Sequence, residues 1–204
     1  MLLLVGGLLL LCLGVQSQLN PLGRFGKCVD VPTVGDCDLE GTWYLQYRPD
    51  NPDHYVHTCQ ATYDQVVKND LASLLYYYNK GKMVNNPQNI KYRPVSPGKY
   101  YRNIGVDGEA VKVYLYVIGY DPIMKYRVSY MCTDCEKANP NIYNVGISTH
   151  DQVPDNLQQV LEAGKAKIKE VLPECTEKLM KVEQSLDKCE PLSVYQSSDN
   201  PLAA

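Results

Sequence analysis

Between Gly41 and Thr149 the chain repeats one local pattern. Short runs rich in β-branched and aromatic residues alternate with clusters of Gly, Pro, Asn and Asp. The runs are TWYLQYR, TCQATYDQV, LASLLYYYN, NIKYRPV, KYYRNIG, AVKVYLYVIGYD, KYRVSYMCT and IYNVGIST. Between them stand KND, NKGK, SPGK, DGE, DPIM and EKANPN, with one longer polar loop, DNPDHYVH. Such runs suit a pleated, half-buried surface, and the separators carry the residues that tight turns require. The spacing predicts about eight or nine strands joined by hairpin-length connections, too short for helical crossovers. A βαβ fold is therefore disfavoured, and an antiparallel barrel or sandwich is expected.

The pattern changes after residue 150. PDNLQQVLEAGKAKIKEVL places Leu157, Val160, Leu161, Ile168, Val171 and Leu172 near helical spacing, with Pro154-Asp155 as a plausible start. A second helical pattern is expected in ECTEKLMKVEQSLDKC, and residues 193–204 read as a frayed tail. The organisation is a β-meander followed by a helix, with Cys on both sides of that helix. Eight antiparallel strands can close into a barrel that holds one small ligand and has no free edge. Seventeen Tyr against one Phe and one Trp give the chain apolar ring faces that also carry hydroxyls, which suits an amphiphilic ligand better than a hydrocarbon.

Residues 1–17, MLLLVGGLLLLCLGVQS, read as a signal peptide cut before Gln18, with a signal anchor as the alternative. The apolar run is too short to span a bilayer comfortably, and small residues follow it. The mature domain is then 18–192, secreted, with no transmembrane segment. Net charge is −3 and the basic residues are scattered, which argues against nucleic acid as a partner. Seven cysteines remain after Cys12 leaves with the signal: Cys28, Cys37, Cys59, Cys132, Cys135, Cys175 and Cys189. Outside the cell most should be bridged, and an odd count leaves one without an intramolecular partner. Cys132-Thr-Asp-Cys135 is a Cys-x-x-Cys. With no second such motif and no thioredoxin-like pattern beside it, it reads as two structural half-cystines rather than a zinc or redox site.

The single Trp falls in Gly41-Thr42-Trp43, at the head of the first strand. Its place after a short leader, before a β-meander that ends in one helix, resembles the lipocalins, in which a Gly-x-Trp stands there and the Trp plugs the closed end of the barrel. FGKC ending at Cys28, TCQATYD at 58–64, KYRVSYMCTDC and the late Cys189 resemble the branch of apolipoprotein D, insect bilin-binding proteins and crustacyanin. The resemblance implies an all-β, eight-stranded antiparallel up-and-down barrel with the C-terminal helix packed outside. It also implies a Cys59–Cys189 bridge, a bridge from Cys28 to one of Cys132 and Cys135, and a bridge from the other of that pair to Cys175. Cys37 is then the extra cysteine, as a buried or capped thiol, an intermolecular half-cystine or an alternative partner. The family's Thr-Asp-Tyr motif is only echoed in Gly119-Tyr120-Asp121. The Arg of its third motif should fall in ISTHD, where Thr149 and His150 stand.

No Ser/His/Asp order stands out, so the chain is not read as an enzyme. Strand parity and the resemblance together put Tyr47, Tyr63, Tyr76, Tyr78, Tyr114 and Tyr116 inside the barrel as ligand contacts. The alternative places some of these rings on the outside, beneath the helix. His54 and His57, in the loop expected at the open mouth, are candidate contacts for a ligand's acidic group, or for haem or a metal; no metal site is assigned. The expected function is a carrier or store for a small hydrophobic molecule, such as a bilin or carotenoid chromophore or a fatty acid. The alternative is an extracellular interaction protein like the salivary lipocalins of blood-feeding arthropods, which scavenge a mediator or inhibit a host protein. A homodimer or oligomer is compatible with either.

Overall fold

The computed structural model describes residues 25–35, 37–50, 58–79, 82–83, 88–106, 108–175 and 178–190. The signal peptide, its cleavage site, the tail at 193–204, His54 and His57 lie outside the described residues. The strands are β1 (Gly26–Lys27), β2 (Gly41–Pro49), β3 (Thr58–Val67), β4 (Asp70–Asn79), β5 (Lys82–Met83), β6 (Gln88–Ser96), β7 (Lys99–Val106), β8 (Glu109–Asp121), β9 (Tyr126–Thr133) and β10 (Asn144–Thr149). The helix α1 (Leu157–Val171) and a short β11 (Leu179–Lys181) follow.

The eight long strands pair in chain order, all antiparallel, and β10 pairs with both β9 and β2, so the sheet closes into a barrel. Each predicted strand run became one of these eight. Closure follows from the turns. Lys68 and Asn69, both with positive φ, make the two-residue hairpin between β3 and β4. Prolines and glycines reverse the chain elsewhere, as at Pro97-Gly98 between β6 and β7.

Helix α1 lies outside the barrel against β8, β9 and β10. It buries Val160, Leu161, Gly164 and Ile168. Their partners are the outer faces of those strands and of β2: Tyr47, Tyr116, Ile118, Tyr126, Val128, Tyr130 and Ile147. Gly164 sets the approach. A Cβ there would stand 2.5 Å from Ile147 Cδ1, so a larger residue would require Ile147 or the helix to shift.

The expected second helix is replaced by extended chain, and the reason lies in the barrel wall. β2 and β3 pair only through Gly41–Tyr44 and Ala61–Asp64. Beyond that they separate and leave backbone groups without a strand partner. The C-terminal segment fills the gap. β11 pairs with Tyr47–Pro49 of β2, Cys59 N–H donates to Glu183 O, and Gln184 Nε2 donates to the carbonyls of both Leu45 and Gln60. Satisfying buried backbone groups outweighs the modest helical preference of the sequence. The Cys59–Cys189 disulfide fastens the end of this segment.

The second disulfide joins Cys28 to Cys132 and ties the leader to the end of β9. The expected bridge between the remaining member of the Cys132/Cys135 pair and Cys175 is not formed. Cys135 is a thiol in the turn after β9, with its backbone N–H on Thr133 Oγ1. Cys175 packs instead against the cluster beneath the helix.

Candidate ligand-binding site

Trp43 is 1% exposed and stands at one end of the barrel, as expected for a plug. Gly41 opens β2 with φ +101°, a conformation few side-chain-bearing residues adopt, and so turns the chain from the leader into the strand. The indole Nε1–H donates to Leu39 O at 2.9 Å, which holds the leader across the barrel end. His150 stacks on the indole with ring centroids 3.7 Å apart, its Nδ1 bonded to Thr42 O.

The family's third-motif arginine is absent from ISTHD, yet an arginine covers the Trp. Arg127, from β9, places its guanidinium 4.5 Å from the indole centroid. Its Nη1 bonds Asp64 Oδ2 at 2.6 Å, and its Nη2 donates to Thr62 Oγ1. Asp64 is 2% exposed and also accepts from Ser73 Oγ. The barrel floor is thus a Trp between a His and an Arg, with the Arg neutralised by one buried carboxylate.

Above this floor the barrel holds a cavity of about 560 Å³. Its apolar wall includes Leu45, Leu71, Leu75, Ile90, Leu115 and Met131. Tyr77, Tyr92, Ser129 and Ser148 add hydroxyls, and Phe25 also reaches the cavity. Three arginines line it, Arg48, Arg102 and Arg127, against a single acid, Asp64. Arg48 is 7% exposed, and burial pulls its guanidinium below the ordinary value although Asp50 opposes the shift. Arg102 lies over the Tyr92 ring, 5.6 Å from its centroid. Burial raises the Tyr92 hydroxyl above its usual range, and the Arg102 charge draws it back. Cys37 packs at the floor side of the cavity with Leu39, Leu71 and Val117.

The six tyrosines expected to line the interior lie elsewhere. Tyr47 and Tyr116 are buried outside, beneath α1, with Tyr114 at the edge of that cluster. Tyr63 and Tyr76 join Ala72 and Leu74 on the outer side of β3 and β4. Tyr78 packs on the Cys59–Cys189 disulfide. The correction for Tyr47 has a specific cause. It has the parity of Trp43 by counting, but β2 carries a bulge at Gln46, where Ile147 pairs with Tyr47 and Ser148 with Leu45. The extra residue turns Tyr47 outward and leaves the side chain of Gln46 to bond Thr149 Oγ1 and the Gln152 carbonyl. On β4 the interior face is Leu71, Ser73, Leu75 and Tyr77, so Tyr76 and Tyr78 point away. On β8 the interior residue is Leu115, which sends Tyr114 and Tyr116 out.

The arginines were missed by sequence reasoning. Each lies within a strand run rather than in a turn, in TWYLQYR, KYYRNIG and KYRVSYMCT, with Arg102 mid-strand and Arg48 and Arg127 near strand ends. That placement is the signal that could have found them. Among the described residues no group of three or more His, Cys, Asp or Glu stands together as a metal site.

No family model matches the chain, and no curated protein matches it. Solved structures do. Insecticyanin from the tobacco hornworm Manduca sexta superposes with a TM-score of 0.57 at 15% identity, covering 81% of this chain and 90% of that one. Lobster apocrustacyanin A1 gives 0.52 at 15% identity over 72% and 77% of the two chains. The siderocalin Ex-FABP, described as having dual ligand specificities, gives 0.51 at 8% identity over 73% and 92%. The chain therefore has the lipocalin fold, and its resemblance to insecticyanin and crustacyanin is one of fold.

Proposed function

We propose that the protein is a secreted carrier or store for one small, largely apolar molecule held inside the barrel. The observation that carries this reading is the cavity inside the barrel. At about 560 Å³ it falls within the range of roughly 300–1,000 Å³ typical of small-molecule sites, and it combines an aliphatic wall with a few fixed polar groups. The floor is sealed by Trp43, so access is from the opposite end of the barrel or through a gap in its wall. A chromophore such as a bilin or carotenoid, or a fatty acid, suits this space. The two disulfides suit an oxidising compartment, in keeping with a secretory leader.

The test is native mass spectrometry with a visible absorption scan on protein purified from its source without denaturation. A stoichiometric small molecule, extractable into organic solvent, is expected. Ligand-free protein that also binds none of a panel of bilins, carotenoids and fatty acids would overturn the reading.

A further inference from the structure

The interior charge does not balance. A cavity built for a neutral hydrocarbon has no use for guanidinium groups, because removing a charge from water costs several kcal/mol unless a counterion offsets it. Of the three arginines in this cavity, Arg127 is paired with Asp64. Arg102 makes no ion pair among the described residues. Its Nε is fully buried with no acceptor.

Arg102 also occupies a distinctive place in the wall. β6 and β7 pair only through Arg93–Ser96 and Lys99–Tyr101. Past that point a side cleft opens between them, lined by Asn89, Lys91, Arg93, Tyr101 and Asn103, and Arg102 and Ile90 border both this cleft and the main cavity. Asp70 is the one carboxylate of the cleft. Arg102 thus stands at the join, with further cations on the outer side. Arg48 reaches the same cavity from β2 and is itself more than nine-tenths buried.

We propose that the cavity selects an anionic amphiphile, whose carboxylate is received by Arg102 with Arg48 as a second cationic contact, while its apolar body lies along Leu71, Leu75, Leu115 and Met131. This rests on the carrier reading above and narrows it. A planar guanidinium matches a carboxylate in two parallel hydrogen bonds, and such pairs are the strong ones in a water-poor site. The ligand then supplies the charge that the protein leaves out. A fatty acid and the propionate arms of a bilin share this chemistry. A carotenoid without an acid group lacks it.

The experiment compares each acid with its ester. Full-length protein, stripped of ligand, is titrated with cis-parinaric acid and its methyl ester, and with biliverdin and its dimethyl ester. Probe fluorescence or absorption is read, with quenching of Trp43 as a second signal. The acid of at least one pair should bind about tenfold or more tighter than its ester, as expected for a charge-assisted hydrogen bond. Which pair binds tells whether the acid comes from an acyl chain or a tetrapyrrole. Arg102→Gln should abolish that preference, with the acid losing more affinity than the ester; Arg48→Gln should reduce it in the same direction. Both variants are checked for an unchanged thermal melt, and the wild-type comparison stands even if one fails to fold. Equal affinity for acid and ester in the wild-type protein would overturn the proposal and leave the carrier reading intact. No binding of any of the four probes would also overturn the proposal, and the carrier reading then falls only if carotenoids fail to bind as well.

Discussion

Replacing Trp43 by Ala tests the floor of the barrel. The indole is 1% exposed, so nearly all of its surface leaves water on folding. A buried aromatic of this size hides about 150–250 Å². At about 25 cal/mol per Å² that is worth about 4–6 kcal/mol. Two further contacts go with it. Leu39 O loses the Nε1 donor, a net cost of about 1 kcal/mol, and Arg127 loses a cation–π contact worth about 0.5–2 kcal/mol. Against these, the void opens toward the ligand cavity, so water can enter and the unfolded chain already hides part of the ring. The balance places Trp43→Ala at about 3–5 kcal/mol, the range found for large aromatic truncations. Because this is the only Trp in the chain, the assay must be urea unfolding followed by far-UV circular dichroism, with disulfides intact. Trp43→Phe provides the internal scale. It keeps most of the ring and loses the Nε1–H, and should cost about 1–2 kcal/mol. A loss below about 1 kcal/mol for the Ala variant, at unchanged denaturant slope, would refute the plug.

Gly164→Ala should destabilise by about 1–2 kcal/mol in the same assay: the added methyl meets Ile147 at 2.5 Å, and the helix-propensity gain of about 1 kcal/mol offsets only part of the overpacking. A raised melting temperature would show that α1 does not sit as closely as described. Asp64→Asn should cost about 3–5 kcal/mol by leaving Arg127 buried beside no counterion, and Asp64→Asn with Arg127→Met should recover much of it. A single variant as stable as wild type would remove the pair from the floor. At alkaline pH, burial pushes the Tyr130 hydroxyl up from 10.0 to about 12 in the folded protein. The folded state then keeps a proton that the unfolded state has released, so this contribution is whole below pH 10 and is lost as pH rises toward 12. Tyr130→Phe should flatten unfolding free energy across that window relative to wild type, and an unchanged slope would contradict the assignment.

The barrel was legible because its information is local. Each hairpin carries its own turn chemistry, and the runs between need only alternate. Trp43 was legible through its placement, and Cys59–Cys189 through the likeness of TCQATYD and the late cysteine. The orientation of the strands was not. In AVKVYLYV both faces are apolar: Val113 and Leu115 on one, Tyr114 and Tyr116 on the other. Alternation tells inside from outside only when one face meets water. Here α1 covers the outer face of β8 to β10, so both are buried and the pattern is degenerate. The bulge at Gln46 reverses parity within one strand and leaves no mark in the residue types. The C-terminal segment failed for another reason. Its periodicity suits a helix, but the gap between β2 and β3 exists only in the folded barrel.

The outward tyrosines and the inward arginines follow from one constraint. A helix docked on a barrel needs broad, stiff side chains to fill the space between curved surfaces, and Tyr supplies area with few rotatable bonds. Tyr114, Tyr116, Tyr130 and Tyr143 form such a layer, each ring centroid 5.7–6.4 Å from the next, and Tyr101 continues the row toward the side cleft. Lys99 lies over two of the rings, 4.7 Å from Tyr116, with Asp30 of the leader at 3.6 Å from its ammonium. The hydroxyls can reach the rim of this layer, as Tyr130 does at Lys27 O. More Tyr in the interior, beyond Tyr77 and Tyr92, would have filled the space a ligand needs. The inner faces instead carry Leu, Ser and Gly146, where a Cβ would come within 3.1 Å of Leu45. Small and aliphatic residues leave volume, and long flexible arginines can fold against the wall or extend into it. The division therefore gives the outer layer to stability and the inner layer to recognition. Substitutions such as Tyr116→Phe should act on folding, whereas Arg102→Gln should act on what is bound.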